Sequence, residues 1–162
     1  MPVVAGTLSE VSDASEQGQR TVARNQHSSA PYRAPLRVFL VEDSPIIRDR
    51  LTESISASGR IQIIGHADTE QQAIASLMQL DCDAVVLDLR LREGNGFNVL
   101  KALRVAPGVS MTIIVFTNYS LPEFRTRSLA LGADYFFDKG HESDRVREVL
   151  EEMVSADPSA AH

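Results

Sequence analysis

Cysteine and lysine are nearly missing from this 162-residue chain, which holds one Cys and only Lys101 and Lys139 among its 16 basic residues. Cys82 has no partner for an internal disulfide and no second Cys or His at metal-ligand spacing. A disulfide or zinc scaffold is therefore excluded, and a reducing compartment fits. The residue reads as a small apolar one. No apolar run approaches the roughly 20 residues that a transmembrane helix needs, which rules out a bilayer span. The opening MPVVAGTLSEVSD has neither a basic n-region nor a continuous h-region. That argues against a secretory signal and for a cytoplasmic protein. Positive charge is short as well: 16 Lys+Arg face 22 Asp+Glu, for a formal net charge of -6. Residues 1 to 36 are neutral, with Glu10, Asp13 and Glu16 against Arg20, Arg24 and Arg33, so the whole excess lies in residues 37 to 162. An acidic domain without a basic stripe is a poor partner for nucleic acid, because phosphate neutralisation supplies most of that affinity. The chain also has no internal repeat, no G-x-G-x-x-G and no P-loop.

What remains is enough for one domain with a tail, and 43% hydrophobic residues can bury a core without staples. Residues 1 to 35 carry scattered Ser, Gln and Ala with no steady period, and they end in APYRAP. They bury too little apolar surface to offset the entropy of ordering, so a disordered N-terminal tail is expected. Residues 36 to 155 form the expected domain, and 156 to 162 a short C-terminal tail.

Five short apolar runs punctuate the domain: RVFLV (37 to 41), IQIIGHA (61 to 67), DAVVLDL (83 to 89), MTIIVFT (111 to 117) and DYFF (134 to 137). Near-continuous hydrophobicity with β-branched and aromatic residues suits strands buried on both faces. Helical patterns follow each. The first opens with Ser44 as N-cap and Pro45, with Ile47, Leu51 and Ile55 four apart. The second begins near Thr69 with Gln72 in a capping box, and puts Ile74, Leu77 and Met78 on one face. The third runs from about Phe97 to Val105, with Val99, Leu100 and Leu103 inward. The fourth starts at SLPE, where Ser120 caps and Glu123 completes a box, and Gly132 ends it in the left-handed conformation. The fifth, about 142 to 155, aligns Val146, Val149, Leu150 and Met153.

Five β-α units with short links predict an α/β fold: a doubly wound, five-stranded open parallel sheet with helices on both faces. Ligands of such sheets bind beyond the carboxyl ends of the strands. That rim collects Glu42 and Asp43 after the first strand, Asp88 near the end of the third, Thr117 at the end of the fourth and Lys139 past the fifth. Asp43 has a plainer reading as a helix cap, and Thr117 as an ordinary strand residue. Asp88 is harder to dismiss. It follows Val85, Val86 and Leu87, and a carboxylate beside a dry core costs several kcal/mol unless compensated.

The cluster suits phosphoryl transfer. Three carboxylates in one pocket repel one another unless a divalent cation is present. Mg²⁺ (or Mn²⁺) takes oxygen ligands and would be held by Glu42, Asp43 and Asp88. Asp88 is the candidate nucleophile, Thr117 a donor to a phosphoryl oxygen and Lys139 its counter-charge.

Taken together, VFLVEDSP, DAVVLDLRL, GNGFNVL, TIIVFTNYS and GADYFFDKG make residues 36 to 155 resemble a receiver domain of the two-component response-regulator family. The resemblance implies a flavodoxin-like strand order 2-1-3-4-5 and phosphorylation of Asp88 by a sensor histidine kinase or a histidine phosphotransfer protein. It implies no enzyme acting on other substrates, but a phosphoacceptor that catalyses its own phosphorylation and dephosphorylation. It adds the main-chain carbonyl of Arg90 as a metal ligand, and Phe136 as the aromatic that switches rotamer with Thr117. It further implies output to a protein target, or to a second copy, through the fourth helix, fifth strand and fifth helix. Three positions depart from the family pattern. Gly140 replaces the usual Pro after the Lys and leaves that loop without its constraint. Arg92 stands where a Pro is common, and Asn118 replaces a small residue and narrows access.

No output domain is legible after residue 155, so a stand-alone receiver is expected. A receiver-like interaction module that is never phosphorylated is the alternative, but it would lose some of the five pocket residues. An aspartyl-phosphate hydrolase would want a second Asp where Arg90 stands.

Overall fold

The computed structural model describes residues 33 to 156. The expected tails, 1 to 35 and 156 to 162, lie almost wholly outside the described residues. Ten elements alternate strictly: β1 (Leu36–Val41), α1 (Pro45–Ser56), β2 (Ile61–Ala67), α2 (Glu70–Leu77), β3 (Ala84–Leu87), α3 (Gly96–Val105), β4 (Thr112–Thr117), α4 (Pro122–Ala130), β5 (Tyr135–Asp138) and α5 (Ser143–Ala156). The strands form one parallel sheet in the order β2-β1-β3-β4-β5. Strand order reverses between β1 and β3, whose carboxyl ends therefore face a shared crevice.

The two-residue period of the strands sorts the core into two layers. Phe39, Val41, Val85, Leu87, Ile113, Val115 and Phe136 pack with Ala73 and Leu77 of α2 and Val99, Leu100 and Leu103 of α3. On the other face Val38, Leu40, Val86, Ile114, Phe116 and Phe137 pack with Leu51 and Ile55 of α1 and Val146, Val149 and Leu150 of α5. Every strand between the edges is buried on both faces, which explains why its sequence shows no polar alternation.

Helix starts follow local chemistry with two exceptions. Ser44 Oγ accepts from Ile47 N, and Thr69 Oγ1 from Gln72 N, as the sequence suggests. The reciprocal bond of the second cap falls one residue early, because Gln72 Oε1 accepts from Asp68 N rather than Thr69 N. Farther along α2, Met78, expected inward, is the C-cap and 42% exposed, while Ala73 and Leu77 are the buried residues of that helix. α4 has Leu121 as N-cap with no side-chain hydrogen bond. The Ser120 hydroxyl lies instead by the Asp138 carboxylate at the sheet rim and, together with Gly140 N, favours its ionised form and holds the Asp138 pKa below the usual carboxylate value. The expected end of α4 is present: Gly132 has φ +103°, a value that costs a Cβ-bearing residue strain.

Candidate phosphoacceptor site

The strand ends place the site. β3 stops at Leu87, so Asp88 is the first residue beyond it rather than part of the strand, and its N–H still bonds Val41 O at 2.9 Å. This backbone bond sets the ends of β1 and β3 side by side, with Glu42 and Asp43 following one and Asp88 the other. On the opposite flank Lys139 N donates to Thr117 O at 3.0 Å, which fixes the end of β5 against that of β4.

At the centre is a buried ion triad. Lys139 Nζ donates to Asp88 Oδ2 at 2.8 Å and also to Glu42 Oε2. The three side chains are only 7%, 8% and 4% exposed respectively. Burial pushes the Glu42 carboxyl up, and the lysine only partly offsets it. Burial alone would lower Lys139, but Asp88 and Glu42 outweigh it and hold the ammonium above the usual lysine value. One cation thus faces two buried carboxylates, and Asp43 adds a third. One carboxylate oxygen from each of Glu42, Asp43 and Asp88 lies within 4.8 Å of the others. Such a hard-oxygen set fits a divalent cation of the Mg²⁺ type, which accepts carboxylate oxygens and keeps waters.

Smaller contacts aim these groups. Ser44 N donates to Glu42 Oε1 at 3.0 Å, and Arg90 N to Asp88 Oδ1 at 3.2 Å. Glu42 is also held from behind, since Arg48 Nη1 donates to its carbonyl at 2.8 Å and to Asp68 Oδ1 at 2.7 Å. The loop after Asp88 is tied to α2: Glu70 Oε2 accepts from Asn95 N at 2.9 Å and Asn98 Nδ2 at 3.1 Å. Gly96 lets α3 start against this loop, because a Cβ there would stand 2.2 Å from Asp88 O and 2.8 Å from Leu89 Cα.

The expected residues converge, and three details stand out. Glu42, Asp43, Asp88, Arg90 and Lys139 line one open cleft of about 500 Å³ with Asn118 and Tyr119. Thr117 does not line it. Its side chain is fully buried behind the rim, where Oγ1 accepts from Tyr119 N at 3.2 Å. Phe136, the aromatic expected to switch rotamer, is only 2% exposed, so its ring occupies the inner position. The expected slack after Lys139 is absent too. In place of a proline the loop is pinned by Gly140 N to Asp138 Oδ1 (2.6 Å), Asp138 N to Glu142 Oε2 (2.9 Å) and Ser143 Oγ to Lys139 O (2.9 Å). Sequence reading missed the Arg48–Asp68 brace, the Glu70 tie and the pairing of the Arg90 guanidinium with the Tyr119 hydroxyl at the cleft. Only Gly96 had a local signal, in GNGFNVL.

Among the described residues no helix is long and apolar enough to cross a membrane. Comparison with known proteins agrees with the geometry. The profile of the response regulator receiver domain matches residues 38–151. The sensory transduction protein LytT of Bacillus cereus is 31% identical over 118 residues, 71% of this chain and 46% of the relative. The nitrate/nitrite response regulator protein NarL of Escherichia coli is 28% identical over 123 residues, 76% of this chain and 56% of the relative. The chain thus spans about half the length of these relatives. Among solved structures, the signal receiver domain of NarL from Mycobacterium tuberculosis superposes with a TM-score of 0.69 at 21% identity, covering 76% of this chain and 99% of that one. The response regulator domain of Thermotoga maritima CheB gives 0.67 at 22% identity, covering 76% and 99%. With its five-stranded 2-1-3-4-5 sheet and an acidic crevice at the strand ends, the chain belongs to the response regulator receiver domain family of two-component signalling.

Proposed function

We propose that Asp88 is the phosphoacceptor of this receiver, and that its donor is a phosphohistidine on a sensor kinase or a histidine phosphotransfer protein. The observation that carries this reading is the Lys139 ammonium bridging Asp88 and Glu42 in a buried pocket. A carboxylate oxygen of Asp88 attacks phosphorus, the P–N bond breaks, and its electron pair returns to the imidazole. The product is an acyl phosphate. Such transfer needs in-line positioning and charge stabilisation more than covalent help. Asp88 Oδ1 is aimed by Arg90 N, and Oδ2 is held by Lys139, which can pass to a phosphoryl oxygen as charge arrives. Glu42, Asp43, Asp88 and the Arg90 carbonyl are the proposed Mg²⁺ ligands; the ion, when bound, screens the carboxylates from the incoming phosphoryl group. Thr117 must turn from its place behind the rim to donate to that group, and Phe136 fills or leaves the space beside it. Output then reaches a protein target or a second copy through the face of α4, β5 and α5. A kinase partner of this kind places the chain in the cytoplasm, and its acidic surface gives no reason to expect nucleic acid.

The test is incubation with Mg²⁺ and acetyl phosphate followed by intact-mass measurement. The wild type should gain one base-labile phosphoryl group, and Asp88→Asn none. Uptake undiminished in Asp88→Asn overturns the assignment. No uptake by the wild type from either the small donor or a phosphohistidine protein favours an interaction module instead.

A further inference from the structure

Resting on the phosphoacceptor reading above, we propose that the Arg90 side chain is a second phosphoryl-binding cation held in reserve by Tyr119, and that its transfer to the phosphoryl group unlocks α4. Three observations carry this. First, Arg90 and Tyr119 line the acidic cleft from opposite loops, and the guanidinium both donates to the Tyr119 hydroxyl and lies 5.7 Å from the ring centroid. A guanidinium beside an anion pocket, bonded to a neutral phenol, exchanges that partner for a dianionic one when it arrives. Charge-assisted bonds are about twice as strong as neutral ones.

Second, Tyr119 is the first rung of a ladder that holds α4 to α3. Its ring meets Phe124 edge-on at 6.4 Å, Phe124 meets Phe97 edge-on at 5.7 Å, and Arg127 lies 4.1 Å over Phe97. Tyr119 is also bound through its N–H to Thr117 Oγ1. A phosphoryl group that draws both the Thr117 hydroxyl and the Arg90 guanidinium therefore frees Tyr119 at two points.

Third, α4 depends on that ladder. Ser128 is its only fully buried residue, and the Ser128 hydroxyl has no hydrogen-bond partner among the described residues. The helix has no side-chain N-cap either. A helix whose apolar anchor is the half-buried Phe124, itself part of the ladder, and which carries an unmet hydroxyl sits near the low end of local stability. Its other tether is Arg125, whose Nη1 donates to Phe136 O at 3.1 Å and whose guanidinium lies 4.8 Å over the Phe136 ring. Release of the ladder leaves α4 attached along β5, so it pivots on that edge and opens the side toward α3.

The experiment uses the full chain with Mg²⁺ and beryllofluoride, reading beryllofluoride affinity and amide exchange over residues 119 to 131. In the wild type, beryllofluoride should raise exchange of the α4 amides severalfold. Arg90→Gln should bind it roughly tenfold more weakly, the loss of one charge-assisted bond, and its α4 exchange should no longer respond. Tyr119→Phe keeps the ring but frees the guanidinium, so it should bind more tightly than the wild type; a merely structural Tyr119 would not do this. Wild-type affinity and α4 response in Arg90→Gln would overturn the latch while leaving Asp88 as acceptor. Failure of the wild type to bind beryllofluoride at all would remove both readings.

Discussion

The Lys139 ammonium and the Asp88 carboxylate meet at 2.8 Å, although 51 residues separate them and they leave different strands of the sheet. Neither is more than 8% exposed, so each is the other's replacement for water. The pair carries a cost and a function together: the lysine compensates the burial of the carboxylate, and it is already in place for a phosphoryl oxygen.

Removing Lys139 should therefore hurt stability first. Lys139→Ala leaves Glu42 and Asp88 facing each other without a cation, and breaking a buried pair from one side costs about 3–5 kcal/mol. The melting temperature should fall clearly in chelator, and Mg²⁺ should restore part of the loss. Equal melting of Lys139→Ala and wild type in chelator would show that the triad is not bound in solution.

The metal reading makes a separate prediction at Asp43, which is half-buried and lies outside the ion pairs that Lys139 makes with Glu42 and Asp88. Mg²⁺ at 100 times its dissociation constant should stabilise the wild type by about 2.7 kcal/mol. Asp43→Asn should keep the fold in chelator yet lose most of that gain. A full Mg²⁺ response in Asp43→Asn, read by thermal melts, would remove it from the ligand set.

Gly96 and Gly59 offer a paired test of close approach against backbone strain. A Cβ at position 96 meets the Asp88 carbonyl at 2.2 Å, whereas one at Gly59 (φ +72°) meets nothing within 4 Å. Gly59→Ala should cost about 1–2 kcal/mol from conformation alone and leave phosphoryl uptake unchanged. Gly96→Ala should cost about 1–3 kcal/mol by displacing backbone and should also slow uptake, because what it moves carries Asp88. Equal uptake rates in the two variants would disprove the link.

Burial, with the nearby Asp83 charge, pushes the Cys82 thiol up to about 11. The folded protein thus keeps this proton to higher pH than the unfolded chain, whose thiol titrates at about 8.5. Its contribution to stability is complete below that value and declines as pH rises toward 11. Cys82 should be inert to a thiol reagent at pH 8 and react fully in denaturant. Cys82→Ala should melt with a shallower decline between pH 9 and 11, and rapid labelling of the native wild type would contradict this.

By itself, the sequence determined the parts of this protein whose causes are local. Apolar runs such as DAVVL and TIIVF could only be strands covered on both faces, Ser44 and Thr69 cap with atoms three residues away, and Gly132 alone suits the turn after α4. The five rim residues were legible because strand ends are where such sheets expose chemistry. Only the tertiary structure decided matters that depend on distant partners. Ser120 was free to cap α4, but its hydroxyl lies by the Asp138 carboxylate and gives the helix no cap bond; Met78 had the right spacing to be buried, but α2 ends there and leaves it exposed at the C-cap. Nothing near Arg48 announced Asp68, and nothing near Arg90 announced Tyr119, since a guanidinium reaches whichever acceptor the fold brings within range. The position of Phe136 likewise was set by the space left between β4, β5 and α4, a volume no single stretch of sequence defines.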